Sequence, residues 1–260
     1  MKRKQYILTI AGLDPSGGAG ITSDIKTFEA HNAYGLSVCT AITVQHDLSF
    51  KSCTWMAKNL ILSQIDILFE RFTINVVKIG IIQSWEFLLE VVQKLKELKK
   101  EVKIILDPVL KASTGFDFHH KAPKKVLEEV LANCYFITPN YEEIKTILPE
   151  KNIAETIRFI SQKTNIYLKG GYRIDKKGWD EVYYDSTLSL LLPPVVETVF
   201  EKHGSGCVLS AALACNLAKG YALEDACRNT KSYIDEFLSS NQSLLGTHTY
   251  KNVLKAQYHD

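Results

Sequence analysis

Tyr6-Ile-Leu-Thr-Ile-Ala-Gly-Leu-Asp-Pro-Ser-Gly-Gly-Ala-Gly20 joins an apolar run to a glycine-rich turn, and a segment with helical spacing follows it. Ile21, Ile25 and Phe28 recur at the interval of one helix face. A strand, a glycine turn and a helix in this order form the basic unit of α/β proteins. The glycines let the backbone approach a ligand closely, and the helix start offers N–H groups. The alternative interpretation is a tight structural turn.

Short apolar runs and longer amphipathic segments alternate along the rest of the chain. This alternation predicts an α/β fold with a mainly parallel central sheet flanked by helices on both faces. Consecutive β runs within Gly178–Phe200 predict an antiparallel edge, and residues 1–260 are predicted to form a single domain. The predicted strands are Gln5–Ala11, Leu36–Val44, Val76–Ile79, Lys103–Asp107, Tyr135–Thr138, Ile166–Lys169, Glu181–Tyr184 and Ser189–Leu192.

The composition excludes some classes of function. The 260 residues include 31 Lys and Arg against 29 Asp and Glu, a formal net charge of +2, so no electrostatic footprint for nucleic acid or an anionic membrane is evident. Six cysteines without a Cys-x-x-Cys motif argue against a disulfide framework or a zinc site. The apolar stretch from Tyr6 to Gly12 is too short for a signal peptide or a membrane span, and we expect a cytoplasmic protein.

Polar side chains end several predicted strands, where ligands of open α/β sheets bind. Gln45 offers a donor and an acceptor that suit the edge of a heterocycle. Asp107 is suited to Mg²⁺ and phosphate oxygens, and Lys169, which precedes two glycines, to a phosphate. Each has a simpler alternative: a solvated strand end, an Asp-Pro turn and a solvated lysine.

Two acidic positions near helix starts are open to two interpretations. Thr138-Pro-Asn-Tyr-Glu-Glu143 leads from a strand into a helix, so Asn140 and Glu143 are either site residues or a cap with a first-turn acid. Asp24 lies one turn into the first predicted helix, where an acidic residue is usually a surface charge that complements the helix dipole.

The strongest chemical signal is the turn formed by Gly204, Ser205, Gly206 and Cys207, which leads directly into a helix of small residues. The N–H groups of such a helix start form an anion hole, and the helix dipole favours negative charge there. A thiol at that position is predicted to have a lowered pKa, which makes Cys207 a candidate thiolate base. The alternative is a buried, inert cysteine.

The glycine-rich turn matches neither of two phosphate-binding fingerprints. Gly12-x-x-x-x-Gly17 is not followed by Lys and Ser or Thr, as a P-loop requires. Gly18-Ala-Gly20 lacks the third glycine of a dinucleotide-binding loop. A dinucleotide oxidoreductase is therefore an alternative that this loop alone suggests.

Taken together and in order, these segments resemble the ribokinase superfamily and, within it, the hydroxymethylpyrimidine/phosphomethylpyrimidine kinases of thiamine synthesis. The resemblance runs from Ile7 to about Leu238. Ribokinase-type sugar kinases usually carry Asp where this chain has Cys207. The stretches that carry the resemblance are Ile10–Gly20, Asp24–Phe28, Lys78–Gly80, Asp107–Val109, Thr138–Asn140, Lys169–Gly171 and Gly204–Cys207.

The resemblance implies a ribokinase-like fold and a role for each matching position. Asp24 and Gln45 would hydrogen-bond an aminopyrimidine, with Gly12 and Val109 beside it. Mg²⁺ would be organised by Asp107 and Glu143, and the phosphates of ATP would face Asn140 and Lys169. The amides of Gly204, Ser205, Gly206 and Cys207 would hold the charge of the transferred phosphoryl group, and Cys207 would take the hydroxymethyl proton.

The chain departs from the family pattern at Leu13, where Ser is usual, at Ile81, often Met, and at Tyr172, commonly His. These departures put the exact substrate preference in question more than the reaction. The alternatives are a pyridoxal or pyridoxine kinase of the same superfamily and a non-catalytic pyrimidine- or nucleotide-binding protein. The resemblance also implies a homodimer, and Lys111–His120, with Gly115 and two histidines, is predicted to form a mobile flap.

Overall fold

The computed structural model describes residues 5–110 and 122–250, and its nine strands form one sheet. Their order is β3-β2-β1-β4-β5-β6-β7-β8-β9; β2, β1 and β4 to β7 are mutually parallel, whereas β3, β8 and β9 pair antiparallel to their neighbours. The strands are β1 (Tyr6–Leu13), β2 (Tyr34–His46), β3 (Ser49–Trp55), β4 (Ile74–Ile79), β5 (Lys103–Leu106), β6 (Phe136–Ile137), β7 (Asn165–Leu168), β8 (Asp180–Tyr184) and β9 (Thr187–Leu192).

Helices cover both faces of the sheet, because its central strands are apolar on both sides. Ile7 and Val76 face one core cluster, and their neighbours Leu8 and Val77 face the other, as the two-residue period of a strand requires. The fold predicted from the strand–helix alternation is confirmed. The helices are α1 (Gly20–Ala30), α2 (Lys58–Arg71), α3 (Trp85–Leu98), α4 (Lys124–Asn133), α5 (Tyr141–Ile147), α6 (Ile153–Ser161), α7 (Ser205–Ala218) and α8 (Leu223–Ser239).

Helix α7 crosses the middle of the sheet, and its small side chains are the reason. Ala211, Ala212, Ala214 and Cys215 are all fully buried, and the helix contacts β1, β4 and β5. A helix that is apolar on every side belongs inside a protein. Its N-terminus lies beside the carboxyl ends of the central strands. Within the described ranges, none of the helices has the length and apolar character needed to cross a membrane.

Several local predictions are confirmed and others are not. Ser84 caps α3 by accepting a hydrogen bond from the Phe87 N–H at 3.1 Å, and the antiparallel edge β8–β9 is present. Strand β3 and helix α2 were not predicted. The two residues Asp47 and Leu48 that join β2 to β3 include no glycine or proline to signal a turn. The predicted flap over Lys111–His120 lies outside the described residues.

After α8 the chain folds back along the helices. The Lys202 ammonium donates to the Ser243 carbonyl at 2.7 Å, and the His203 N–H donates to the Leu244 carbonyl at 2.9 Å. Further on, Tyr233 Oη lies 3.0 Å from His248 Nδ1. Burial, aided by the charge of Lys26, lowers the pKa of His248 from 6.5 to about 4.

The lowered pKa of His248 predicts that the stability of the fold decreases in acid. Between pH 6.5 and about 4 the unfolded chain binds a proton at His248 and the folded chain does not, so stability falls as pH falls through that window. We expect the thermal midpoint of His248→Gln to drop less between pH 7 and pH 5 than that of the wild-type protein. The matched control is His46→Gln, at an exposed imidazole. Equal drops in the wild-type protein and H248Q would contradict the prediction.

Candidate active site

One cleft of about 870 Å³ opens at the carboxyl ends of the parallel strands. It is bounded by the ends of β1, β2, β4, β5 and β7 and by the start of α7. All but one of the residues that the sequence singled out line it: Gly12, Gln45, Asp107, Val109, Asn140, Glu143, Lys169, Gly204, Ser205, Gly206 and Cys207. Asp24 is the exception.

The start of α7 forms an anion-binding turn, residues 203–207, because its cap residue has no side chain. Gly204 occupies the left-handed region with φ +72°, and a Cβ there would lie 2.1 Å from the Gly18 carbonyl oxygen. No side chain caps the helix, and Gly206 and Cys207 in its first turn line the cleft, whereas the Ser205 N–H donates to the Lys202 carbonyl at 3.4 Å. A Cβ on Gly206 would lie 3.1 Å from Lys169 Nζ, so a cation stands beside the same turn.

Lys169, Asp107 and Glu143 form a buried charge cluster. Lys169 Nζ donates to Asp107 Oδ1 at 3.0 Å and lies 3.6 Å from Glu143 Oε2. Burial disfavours the charged form of Asp107, but Lys169 and Lys78 outweigh it and the pKa of Asp107 is lowered. Burial raises the pKa of Glu143 to about 7, against the opposing effect of Lys169. The Lys169 ammonium thus forms its closer ion pair with Asp107 and compensates the charge of Glu143 only in part.

Asn140 also caps a helix, as the alternative interpretation of the sequence predicted. Its Oδ1 accepts hydrogen bonds from the N–H groups of Glu142 and Glu143, and Glu143 Oε2 accepts from the Asn140 N–H at 2.7 Å. This capping box fixes the start of α5. Asn140 and Glu143 therefore hold the helix and line the cleft at the same time.

The carboxylates suit Mg²⁺ of the kind that enters with a nucleotide. Among the described residues, no group of three or more His, Cys, Asp or Glu side chains could hold a metal ion. Mg²⁺ in phosphate-transferring sites usually binds one or two carboxylates, water and the phosphates themselves. Asp107 and Glu143 fit that pattern, whereas an all-protein metal cage is not built here.

The predicted low pKa of Cys207 is wrong. Burial raises the pKa of the thiol to about 11, and Asp107 and Asp24 add to the rise, while Lys78 and the Gly20 N–H oppose it. Ionising a sulfur that is largely removed from water costs free energy, and this cost exceeds the effect of the helix N-terminus. Cys207 is a thiol at neutral pH in the ligand-free protein.

Asp24 is not among the described residues that line the cleft, so the ligand contact that the resemblance implies stays a prediction. Its side chain is fully buried. Lys78 Nζ donates to both carboxylate oxygens, at 3.1 and 2.9 Å, and Thr9 Oγ1 donates to Oδ2 at 2.6 Å. Burial raises the pKa of Asp24, and Lys78 opposes this rise. The residue serves as the counter-charge of a lysine beneath the cleft.

Lys78 is a residue that sequence reasoning left without a role. It lies in β4, contacts the cleft, and has no solvent exposure. Burial lowers the pKa of a lysine, but Asp24, Cys207 and Asp107 together raise that of Lys78, so its ammonium stays charged. The available signal was a lysine inside the otherwise apolar strand Ile74–Ile79, since a buried lysine needs an acidic partner.

The other end of the cleft is apolar with one amide. A Cβ on Gly12 would lie 2.4 Å from Ile81 Cδ1, so the glycine makes room for the isoleucine. Gln45 Nε2 donates to Thr43 Oγ1 at 2.9 Å, which fixes the amide plane. Leu13 is absent from the described residues that line the cleft, and of the two apolar departures from the family pattern only Ile81 contacts it.

An anion-binding turn, a lysine and a carboxylate pair at the ends of parallel strands define a ribokinase-like phosphotransferase. Comparison of the sequence with known protein families identifies the family. The family model described as phosphomethylpyrimidine kinase matches residues 14–252, and the chain belongs to that family. Its members are kinases, and this protein is a kinase too.

Individual relatives agree with this assignment. The hydroxymethylpyrimidine/phosphomethylpyrimidine kinase of Rhizobium meliloti is 30% identical over 245 residues, 91% of each chain. The crystal structure of phosphomethylpyrimidine kinase from Clostridium difficile is 34% identical, with a TM-score of 0.74 over 90% of this chain and 99% of that one. Pyridoxal kinase from Staphylococcus aureus shares the fold, with a TM-score of 0.81 and 21% identity over 95% of this chain and 94% of that one.

The buried pair predicts a large stability effect at Asp24. Asp24→Asn leaves the Lys78 ammonium buried without its counter-charge, and we expect a loss of about 3–5 kcal/mol in the free energy of unfolding. Urea denaturation of the ligand-free protein measures it. The double variant D24N/K78M removes both charges and should recover most of the loss. Wild-type stability in D24N would show that the pair does not hold this part of the protein.

Proposed function

We propose that the protein transfers the γ-phosphoryl group of ATP, with Mg²⁺, to the hydroxyl of 4-amino-5-hydroxymethyl-2-methylpyrimidine, and then a second one to the resulting monophosphate. In the first step the hydroxymethyl oxygen bonds to the γ-phosphorus, the bond from that phosphorus to the β,γ-bridging oxygen breaks, and ADP leaves. The second step forms the pyrimidine diphosphate that thiamine synthesis consumes.

The observation that carries the proposal is the arrangement of one cleft. Its apolar end, with Gly12, Ile81 and Gln45, is suited to a small heterocycle that has a hydrogen-bonding edge. Its other end holds the anion-binding turn beside Lys169. Cys207 belongs to the turn and lines the same cleft. A substrate hydroxyl and a phosphate can therefore meet within one cleft.

Each polar group has a part in a reaction that depends on positioning and charge. The amides of Gly206 and Cys207 stabilise the negative charge of the transferred phosphoryl group. Lys169 provides a cation next to them. Mg²⁺, held by Asp107 and Glu143, would supply further neutralisation of the phosphate oxygens.

The hydroxyl proton goes to the Cys207 thiolate. Because the thiol pKa is raised to about 11 in the ligand-free protein, only a small share is ionised at neutral pH. The reaction tolerates the free-energy cost of forming the thiolate because its transition state is loose. In such a transition state the attacking oxygen gains little bonding before the leaving group departs. Lys78 is the buried cation that favours the thiolate.

A product assay separates this function from its alternatives. Purified protein is incubated with Mg-ATP and, separately, with the hydroxymethylpyrimidine, its monophosphate and pyridoxal, and products are followed by mass. We expect diphosphate from the monophosphate, because the anion-binding turn and Lys169 can accept a charged phosphate. Phosphorylation of pyridoxal alone would favour the pyridoxal kinase alternative. Binding without turnover of any substrate would favour the non-catalytic alternative.

The proton acceptor is tested by the pH dependence of kcat/KM, which reports groups of the free enzyme. We expect the wild-type value to rise with pH above neutrality towards the raised pKa of Cys207. Cys207→Asp replaces the thiol with a carboxylate and should abolish this alkaline rise, whereas Cys207→Ala should lower the rate by about 10²–10⁴-fold. An unchanged alkaline rise in C207D would assign the proton to another group.

A further inference from the structure

The anion-binding turn is joined to a second loop by a buried hydrogen bond between side chains. Asp14 Oδ2 and His203 Nε2 lie 2.8 Å apart although 189 residues separate them in the chain. Their side chains are 1% and 4% exposed. Because a carboxylate only accepts hydrogen bonds, the imidazole Nε2–H is the donor. The sequence gives no local signal for this contact.

On one side of the pair, Asp14 organises the glycine loop, residues 14–19. Its carboxylate accepts hydrogen bonds from the Ser16 N–H at 2.9 Å, from Ser16 Oγ at 2.8 Å and from the Ala19 N–H at 2.9 Å. Its own carbonyl accepts from the Gly17 N–H at 3.1 Å. One side chain therefore fixes the path of the loop up to the start of α1.

On the other side, His203 is the first residue of the anion-binding turn and immediately precedes the left-handed Gly204. A Cβ on Gly18 would lie 2.6 Å from His203 Cδ2, and one on Gly204 would lie 2.1 Å from the Gly18 carbonyl oxygen. The two loops touch with no room for a side chain between them. A shift of the glycine loop would consequently move the turn.

We propose that Asp14 and His203 are positioning residues that set the anion-binding turn against the glycine loop, and that this placement determines the rate of phosphoryl transfer. The inference rests on the proposed function. Asp14 is not among the described residues that line the cleft, so its effect on catalysis acts through the pair. His203 lines the cleft at its edge. A displacement of the order of 1 Å in a catalytic group costs about 100-fold in rate.

The test compares Asp14→Asn, His203→Leu and His203→Gln, the last of which keeps a donor near the Nε2 position. We expect D14N and H203L to lower kcat by about 100-fold and to leave KM for the pyrimidine largely unchanged, since the side-chain hydrogen bonds of Asp14 run to the glycine loop and to His203 and not to Gln45. The double variant D14N/H203L should lose no more than H203L alone. H203Q should recover most of kcat.

Hydrogen exchange gives a readout that does not depend on turnover. Amides of the glycine loop and of residues 204–207 should exchange faster in D14N and H203L, with the rest of the sheet unchanged. The matched control is His31→Leu, at another buried histidine, whose ring packs on Tyr233 at 4.2 Å. We expect it to lower stability without altering kcat or exchange in either loop.

The two proposals fail in different ways. Wild-type protein without turnover would overturn the proposed function, and the exchange experiment would still decide the positioning role. Wild-type kcat, or wild-type exchange at residues 204–207, in both D14N and H203L would overturn the positioning role. A loss of thermal stability with kcat unchanged per folded molecule would do the same, because it would make the pair purely structural.

Discussion

Charges taken out of water at the carboxyl ends of the central strands must be balanced within the protein, and this requirement shapes the cleft. Lys78 is paired with Asp24, and Lys169 is shared between Asp107 and Glu143. Removing one partner of a buried ion pair costs much more free energy of folding than removing both. The sheet brings β1, β4, β5 and β7 together, so residues distant in sequence neutralise one another beneath a single site.

That balance supports the proposal that a nucleotide binds together with a divalent cation. Lys169 is both the counter-charge of two carboxylates and the cation beside the anion-binding turn. A triphosphate alone would compete with Asp107 and Glu143 for the same ammonium and would add repulsion between negative groups. Additional positive charge near the carboxylates removes the competition and leaves Lys169 available to the phosphates.

The fold and most of the site could be predicted because parallel strands direct their carboxyl ends to one edge of a sheet. Gln45, Asp107 and Lys169 were found by that rule alone. The orientation of Asp24 depends on how α1 is rotated after the glycine loop, and no periodicity reports that rotation. Strand β3 was missed because the Asp47-Leu48 turn before it lacks the glycine that usually marks a two-residue hairpin. The Asp14–His203 contact joins two segments that are 189 residues apart in the chain, and a single sequence does not reveal such a contact.

The raised pKa of Cys207 follows from the same arrangement that makes the turn useful. A helix N-terminus and the Lys78 ammonium both favour a thiolate, but burial and the nearby Asp107 and Asp24 outweigh them. The partial burial that would strengthen hydrogen bonds from Gly206 and Cys207 to a phosphoryl group also disfavours a free thiolate. The thiolate is thus rare, but it is a strong base when it forms. In the proposed reaction this suits a proton transfer that follows the departure of the leaving group.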